Sequence, residues 1–193
     1  MSSAAWVLRS SIAGRARHAL PMAITRAWDF LARSLIARAW KRTLVAGAAV
    51  QPWPGAGLFP VARLEALARG AALIVLAGGR ARALRFGPCH VEGTPLPGDP
   101  GNAVISGRSD THFAFVRELR SGDTLLVHSA SGRLVSYLVA GIEVVRRNDA
   151  RVLLDAGDER LTLVTRYPFG ASAGGSLRYV VVAVRSETAV TRG

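Results

Sequence analysis

Short apolar runs alternate with turn-forming residues from Val61 onward. The runs are rich in Val, Leu, Ile and Thr and are bounded by Gly, Asp, Asn or Ser, which is the pattern of β-strands. The predicted strands are Leu73–Leu76, Ala103–Ser106, Thr124–Val127, Leu134–Val145, Leu161–Thr165 and Arg178–Val184. Gly141 lies inside the longest run and predicts a bend or bulge there. The spacing over Phe113–Leu119 predicts one short helix.

The pattern predicts about eight short strands at near-regular spacing, with only one short helix. This combination is typical of a closed barrel or a sandwich. Closure into a barrel would remove the sheet edges, which otherwise tend to pair with other chains. The pattern therefore predicts a mostly β domain, with both architectures open at this point.

The N-terminal part of the chain has a helical period instead. From about Ile24 to Leu44, an apolar stripe consists of Trp28, Leu31, Leu35, Ile36 and Trp40. Outside this stripe lie, among others, the basic residues Arg26, Arg33, Lys41 and Arg42. Such an amphipathic helix can lie on an anionic membrane surface or dock its apolar face on the domain. The pattern does not decide between these alternatives, because lipid and protein cores select the same kind of face.

Four segments follow from these patterns: an N-terminal helical segment over residues 1–44, a linker over 45–60, the β domain over 61–186 and a tail over 187–193. The linker is predicted from the run Gln51-Pro52-Trp53-Pro54-Gly55, which disfavours helix. No apolar stretch reaches the roughly 20 residues that a spanning helix needs. We therefore expect no clear signal peptide or transmembrane helix.

The formal net charge is +12, and Lys41 is the only lysine, so arginine supplies nearly all of the excess. A basic chain can bind nucleic acid or an anionic membrane surface. The arginines are dispersed and accompany no zinc-finger, RNP or P-loop pattern, so we expect no nucleic-acid partner. Cys89 is the only cysteine, which excludes an intramolecular disulfide and a thiolate metal cluster. We expect no cofactor and no metal.

Several ordered motifs in the β domain resemble those of the sortase family. The resembling stretches are Phe86–His90, Gly93–Asn102, Ala103–Phe113, Leu161–Phe169 and Gly175–Val181. Ahead of them, Ala39-Trp40 and Gln51-Pro52-Trp53-Pro54 resemble the pre-barrel segment of the Gram-negative type, called class GN. The resemblance covers about residues 39–185.

The resemblance implies a closed eight-stranded sortase-type β-barrel with one or two short helices. It implies cysteine transpeptidation, in which a thiolate attacks a C-terminal LPXTG-like sorting signal of a surface protein and an amine resolves the thioester. The implied partner is that sorting-signal peptide. The implied location is the inner membrane, facing the periplasm.

Two of the family's reactive positions do not match. The resemblance brings the family's histidine position onto Arg108, its cysteine position onto Arg166 and its arginine position onto Arg178, which is retained. A guanidinium is not a nucleophile, and because it stays protonated it is not a reversible acid at neutral pH. We therefore expect a catalytically impaired or dead chain, with Asp110 as the nearest counterion for the arginines.

Other side chains could in principle replace the missing groups. Cys89 beside His90 is one candidate pair, but neighbouring strand residues point to opposite faces and a lone cysteine is more often an inert apolar residue. His112 is a candidate acid or a structural hydrogen-bonding residue beside Asp110. Thr165 is expected to point away from the face that carries Arg166.

Three functional hypotheses remain. In the first hypothesis, the chain is a sortase-fold protein without normal transpeptidase activity, which either still binds a sorting-signal-like peptide or is decaying. In the second hypothesis, the chain is an altered version of an active transpeptidase. In the third hypothesis, the barrel is a basic anion-binding, peptide-binding or membrane-surface module in which Arg108, Arg166 and Arg178 hold a carboxylate or phosphate.

Overall fold

The computed structural model describes residues 10–78, 80–154, 157–170 and 175–187, and it describes side chains from residue 28 onward except those of residues 80 and 81. The beginning of the predicted helical segment and residues 188–193 of the predicted tail therefore lie outside the described residues. The side chains of Ile24 and Arg26, at the start of the predicted amphipathic pattern, lie outside them too.

Eight strands form a closed barrel in the order β1-β2-β3-β4-β7-β8-β6-β5. They are β1 Phe59–Ala66, β2 Ala71–Ala77, β3 Cys89–His90, β4 Asn102–Ser106, β5 Thr124–Ser129, β6 Leu134–Arg146, β7 Arg160–Tyr167 and β8 Leu177–Ser186. The pairs β2–β3 and β4–β7 are parallel, and the other pairs are antiparallel. The predicted fold class is confirmed, and the barrel is the correct one of the two architectures.

Helical structure is sparse within the barrel. The helices are α1 Ser10–Ala46 and α2 Arg80–Ala83, with single 3-10 turns at Leu67–Arg69, Ala114–Glu118 and Ala150–Leu153. The helix predicted over Phe113–Leu119 is thus a 3-10 turn. Among the helices that the structure describes, none is both long and apolar enough to cross a membrane.

The predicted irregularity at Gly141 is present. The register of β6 against β8 shifts between Val139 and Gly141, which is a bulge in a strand whose first residues, Leu134–Leu138, pair with β5 and whose larger part, from Ser136 to Arg146, pairs with β8. A bulge increases the local bend of a strand. The bend lets one long strand serve two neighbours in the closed barrel.

The barrel interior is apolar, with the ring of Phe113 and the side chains of Ile105, Leu163 and Val181 fully buried in one cluster. Phe113 lies so close to Gly107 that a Cβ at Gly107 would meet the ring at 2.5 Å. Gly107 therefore allows the chain that leaves β4 to pass directly over this ring, which fixes where the next residues emerge.

Helix α1 docks on the outside of the barrel through a face that coincides only in part with the predicted stripe, sharing Ile36 and Trp40 with it. The buried residues are Ala32, Ile36, Ala39, Trp40 and Thr43, whereas Trp28 and Leu31 remain 44% and 48% exposed. The buried face combines the small residues Ala32 and Ala39 with the large side chains of Ile36 and Trp40. The domain-docking alternative accounts for this face, and the opposite face is open to solvent.

Candidate functional site

Arg166 and Arg178 lie directly opposite each other where β7 ends and β8 begins, as partners in the antiparallel ladder. Strand β4 runs parallel to β7 with a constant register, from Asn102 with Arg160 to Ser106 with Val164. The same offset continued past the end of β4 brings Arg108 to the level of Arg166. Parallel pairing thus collects side chains from distant parts of the sequence at one end of the barrel.

Two hydrogen bonds extend this pairing beyond β4. The amide of Gly107 donates to the carbonyl of Val164 at 3.1 Å, and the Thr165 hydroxyl donates to the carbonyl of Gly107 at 2.8 Å. Thr165 is buried and points away from the exposed Arg166, as the alternation along the strand predicts. Thr165 is therefore a positioning residue for the turn that carries Arg108.

The three arginines line one groove with a volume of about 620 Å³. Its wall also contains apolar Leu84 and Val164. We call this concavity the basic groove. Arg85, a residue that the sequence analysis missed, lines it as well. No spacing rule connects Arg85 to the arginines on β7 and β8, because only the three-dimensional path of the loop after β2 brings it there.

Arg108 is neutralised by Asp110. Its Nε donates to Oδ1 at 3.1 Å and its Nη2 donates to Oδ2 at 2.6 Å, so both carboxylate oxygens are engaged. This hydrogen bonding lowers the pKa of Asp110 from its ordinary value and raises that of Arg108. Both side chains are 51% exposed, so the pair gains little stability but keeps its two charges together.

Arg178 and Arg166 have no such counterion among the described residues. Arg178 donates through Nη1 to the neutral carbonyls of Gly175 at 3.1 Å and Leu177 at 2.8 Å. Burial, followed by the nearby charges of Arg147 and Arg166, lowers the pKa of Arg178. Within the described part of the chain, no carboxylate pairs with Arg166 or Arg178. The end of the ladder therefore holds two uncompensated positive charges.

Cys89 lies outside the basic groove. It is 4% exposed in an apolar cluster between α1 and the barrel, with Ile36 and Leu76. Its thiol makes one weak contact with the carbonyl of Gly87 at 3.6 Å. Burial raises the pKa of Cys89 to about 12. The thiol is therefore protonated at neutral pH and inaccessible to a substrate in the groove.

His90 is a buried structural residue. Its Nε2 donates toward the carbonyls of Thr94 and Pro95 at 3.0 and 2.9 Å, and the Thr94 hydroxyl lies 3.1 Å away. These contacts hold the loop that follows β3 against the barrel. His90 does not line the basic groove, so Cys89 and His90 do not form a reactive pair there.

His112 lies in a second concavity of about 610 Å³ between α1 and the barrel, with Arg33 and Phe86. Its Nε2 donates weakly to the carbonyl of Arg85 at 3.5 Å. Burial lowers the pKa of His112, so the neutral imidazole is favoured near neutral pH. The hydrogen bond of His112 is thus made with the carbonyl of Arg85.

The side chain of Arg85 also reaches helix α1. Its Nε and Nη2 donate to the carboxylate of Asp29 at 3.2 and 3.0 Å. Arg85 therefore contacts α1, His112 and the rim of the basic groove at once. No cluster of His, Cys, Asp or Glu with the size of a metal site occurs among the residues that the structure describes.

A family model described as the sortase domain matches residues 64–186, which contain the whole basic groove. The chain belongs to the sortase family. Arg108, Arg166 and Arg178 all lie within the matched sortase domain.

Individual relatives agree with this membership. Sortase D from Bacillus subtilis (strain 168) is 30% identical over 116 residues, which are 60% of this chain and 58% of that protein. The chain thus matches less than two thirds of the length of this curated relative. The crystal structure of sortase C-1 from Actinomyces oris is similar with a TM-score of 0.60 and 31% identity, covering 67% of this chain and 76% of that chain. Sortase A from Corynebacterium diphtheriae is similar with a TM-score of 0.63 and 26% identity, covering 69% and 63%.

Proposed function

We propose that this sortase-family protein binds an extended peptide segment in the basic groove without forming a covalent intermediate. The observation that carries the proposal is the side-chain content of the groove. Among its described lining residues there is no thiol and no imidazole, while Arg108, Arg166 and Arg178 line it together. The apolar wall beside the arginines suits a peptide, which brings apolar and polar groups together.

The proposed lack of transpeptidase activity follows from the chemical requirements of acyl transfer. A nucleophile with an available electron pair must reach the carbonyl, and an acid must protonate the leaving amine. The arginines supply neither function because they remain protonated. Burial raises the pKa of Cys89 to about 12, so its thiol is protonated at neutral pH, and it does not line the groove.

We propose that Arg108 and Arg166 stand at the positions of the family's histidine and cysteine, and that Arg178 stands at that of its arginine. The constant β4–β7 offset and the β7–β8 register support this assignment, since they bring the three positions to one place. We also propose membership of class GN, supported by the motifs Ala39-Trp40 and Gln51–Pro54. The inner-membrane, periplasm-facing location is part of the same proposal.

The peptide is proposed to be a C-terminal sorting-signal-like segment of a surface protein. The decisive experiment compares the native chain with the double variant Arg108→His, Arg166→Cys. Each is incubated with a fluorogenic LPXTG-like peptide and an amine, and products are identified by mass. We expect product from the double variant only. Product formed by the native chain would overturn the proposal that the native chain lacks transpeptidase activity.

A second proposed role concerns the outer face of α1. Phe30 and Val45 are 76% and 90% exposed there, and Arg38 and Lys41 are exposed nearby. Exposed apolar residues among cations favour contact with an anionic membrane surface. We expect the protein to sediment with phosphatidylglycerol vesicles and not with phosphatidylcholine vesicles. Loss of sedimentation in a Phe30→Ser, Val45→Ser variant would support this role, and equal binding to both vesicle types would contradict it.

A further inference from the structure

We propose that Arg166 and Arg178 form a carboxylate-binding site, so that the ligand of the basic groove is a peptide with a carboxylate at that point. This inference rests on the proposed peptide-binding function and names the chemistry of the ligand. The carboxylate can belong to an acidic side chain or to a peptide C-terminus. The experiment below separates these two sources.

The distribution of charge in the groove singles out these two residues. Arg108 already has both Asp110 oxygens, so its charge is compensated within the chain. Asp110 is the only acidic residue among the described residues that line the groove. The charges of Arg166 and Arg178 thus remain available for a ligand.

The strand register makes this pair of charges unfavourable without an anion. Like charges directly opposite each other on antiparallel strands destabilise the sheet. In line with this repulsion, the pKa of Arg178 is lowered, first by burial and then by the charges of Arg147 and Arg166. An anion placed between the two guanidinium groups would replace this repulsion with two attractive contacts.

The orientation of Arg178 leaves the correct donors free. Its two hydrogen bonds to the carbonyls of Gly175 and Leu177 both use Nη1, and they anchor the side chain. In the described part of the molecule, Nε and Nη2 have no acceptor. Arg108 binds Asp110 through these same two nitrogens. Arg178 therefore presents the edge that binds a carboxylate in a bidentate manner.

The surroundings favour a peptide over a small inorganic anion. Leu84 and Val164 form apolar wall beside the arginines, and Ser106 and Ser109 provide hydroxyl groups. A sulfate or phosphate ion would contact only the charged part of this surface. A peptide carboxylate is attached to a chain that can cover the apolar part as well.

Four peptides with a blocked N-terminus test the inference by calorimetry with the full-length chain. They share an LPXTG-like sequence and differ in two places: the variable position is Glu or Gln, and the C-terminus is a free carboxylate or an amide. Sodium sulfate is the inorganic probe. We expect the peptide with neither carboxylate to bind at least about tenfold more weakly than the best of the others, since a charge-assisted pair contributes about 1.5–3 kcal/mol. The better of the two singly charged peptides identifies the source.

Variants locate the site. Arg166→Gln and Arg178→Gln should each weaken binding of the charged peptide about tenfold or more, and by a larger factor than they weaken binding of the uncharged peptide. Arg178→Lys keeps the charge but loses the bidentate edge, so we expect an intermediate loss. Arg117→Gln is the matched control, because it removes one exposed charge outside the groove and should change nothing.

A second readout is independent of ligand affinity. Without peptide, Arg166→Gln should raise the melting temperature because it removes the repulsion with Arg178, and with the charged peptide it should lose the ligand-induced increase. Equal binding of all four peptides would overturn the carboxylate site but leave the proposed peptide-binding function standing. Failure of every peptide to bind would overturn both. Sulfate that binds as tightly as the best peptide and competes with it would overturn the peptide assignment.

Discussion

The basic groove and the packed region between α1 and the barrel differ in the reactive side chains that they contain and in the solvent access of those side chains. The groove is open and is lined by four arginines, but its described lining contains no thiol or imidazole. The packed region holds Cys89 and, in its concavity, His112, but burial raises the pKa of the thiol and lowers that of the imidazole. The difference shows that a residue type gives chemistry only with access and the correct protonation state.

The largest expected effect concerns the helix side of this comparison. Trp40→Ala should lower the free energy of unfolding by about 3–5 kcal/mol, because the side chain is 6% exposed against the barrel and truncation leaves a cavity. Phe30→Ala is the control on the same helix and should change stability by less than about 0.5 kcal/mol, since Phe30 is 76% exposed. Urea denaturation measures both. Equal effects would show that α1 does not dock through this face.

Cys89 provides the next test. Cys89→Ser should lower the unfolding free energy by about 1–3 kcal/mol, because a hydroxyl would enter an apolar cluster without an adequate partner. In the native chain, iodoacetamide should label Cys89 only when the protein unfolds. Rapid labelling of the folded protein at pH 7, at the rate found in urea, would contradict both the burial of the thiol and its pKa of about 12.

Asp110→Asn tests how the Arg108–Asp110 ion pair affects ligand binding in the basic groove. The change releases Arg108 as a third free cation, so the charged peptide should bind more tightly and its affinity should depend more steeply on salt. The loss of stability should be small, about 0.2–1 kcal/mol, because the ion pair is half exposed. Calorimetry at two salt concentrations measures the gain. Unchanged affinity would mean that the Arg108–Asp110 pair does not influence the ligand.

His112 gives the smallest effect. Because burial lowers its pKa in the folded state, the unfolded chain binds the additional proton first as the pH falls through the ordinary histidine range. The contribution of His112 to stability is therefore present above about pH 6.5 and declines below it, towards the folded-state pKa. Denaturation at pH 7.5 and 5.5 should show a shallower pH dependence for His112→Gln than for the native chain. An identical dependence would exclude His112 as a contributor.

Much of the barrel was predictable from local pattern, and its exceptions have clear causes. The six predicted strands are all present, but β3 was missed because Cys89–His90 is too short to show alternation. The β1 strand, which starts with Phe59 and Pro60, was also missed, since proline is rare within strands. The buried face of α1 was assigned to large residues, whereas Ala32 and Ala39 form part of it.

The groove was predictable only in part. Motif order suggested that Arg108, Arg166 and Arg178 belong together, and the β4–β7 and β7–β8 registers bring them together. The pairing of Arg108 with Asp110 could be anticipated from their short separation. The role of Arg85 could not, because its contacts with Asp29 and His112 depend on the path of a loop and not on any periodicity.

The closed barrel has one more consequence for recognition. Strands β4, β7 and β8 are already hydrogen-bonded to one another up to the groove, with β7 and β8 paired as far as Tyr167 and Leu177. Many proteins capture peptides by adding them as an extra strand to a free sheet edge, so that backbone atoms supply the affinity whatever the peptide's sequence. Among the described residues, β4, β7 and β8 each pair with a neighbouring strand on both sides, so none of them is an edge strand. Selection between peptide ligands must therefore come from the side chains of the basic groove. A few substitutions at the rim of the groove can change the ligand while the barrel stays the same.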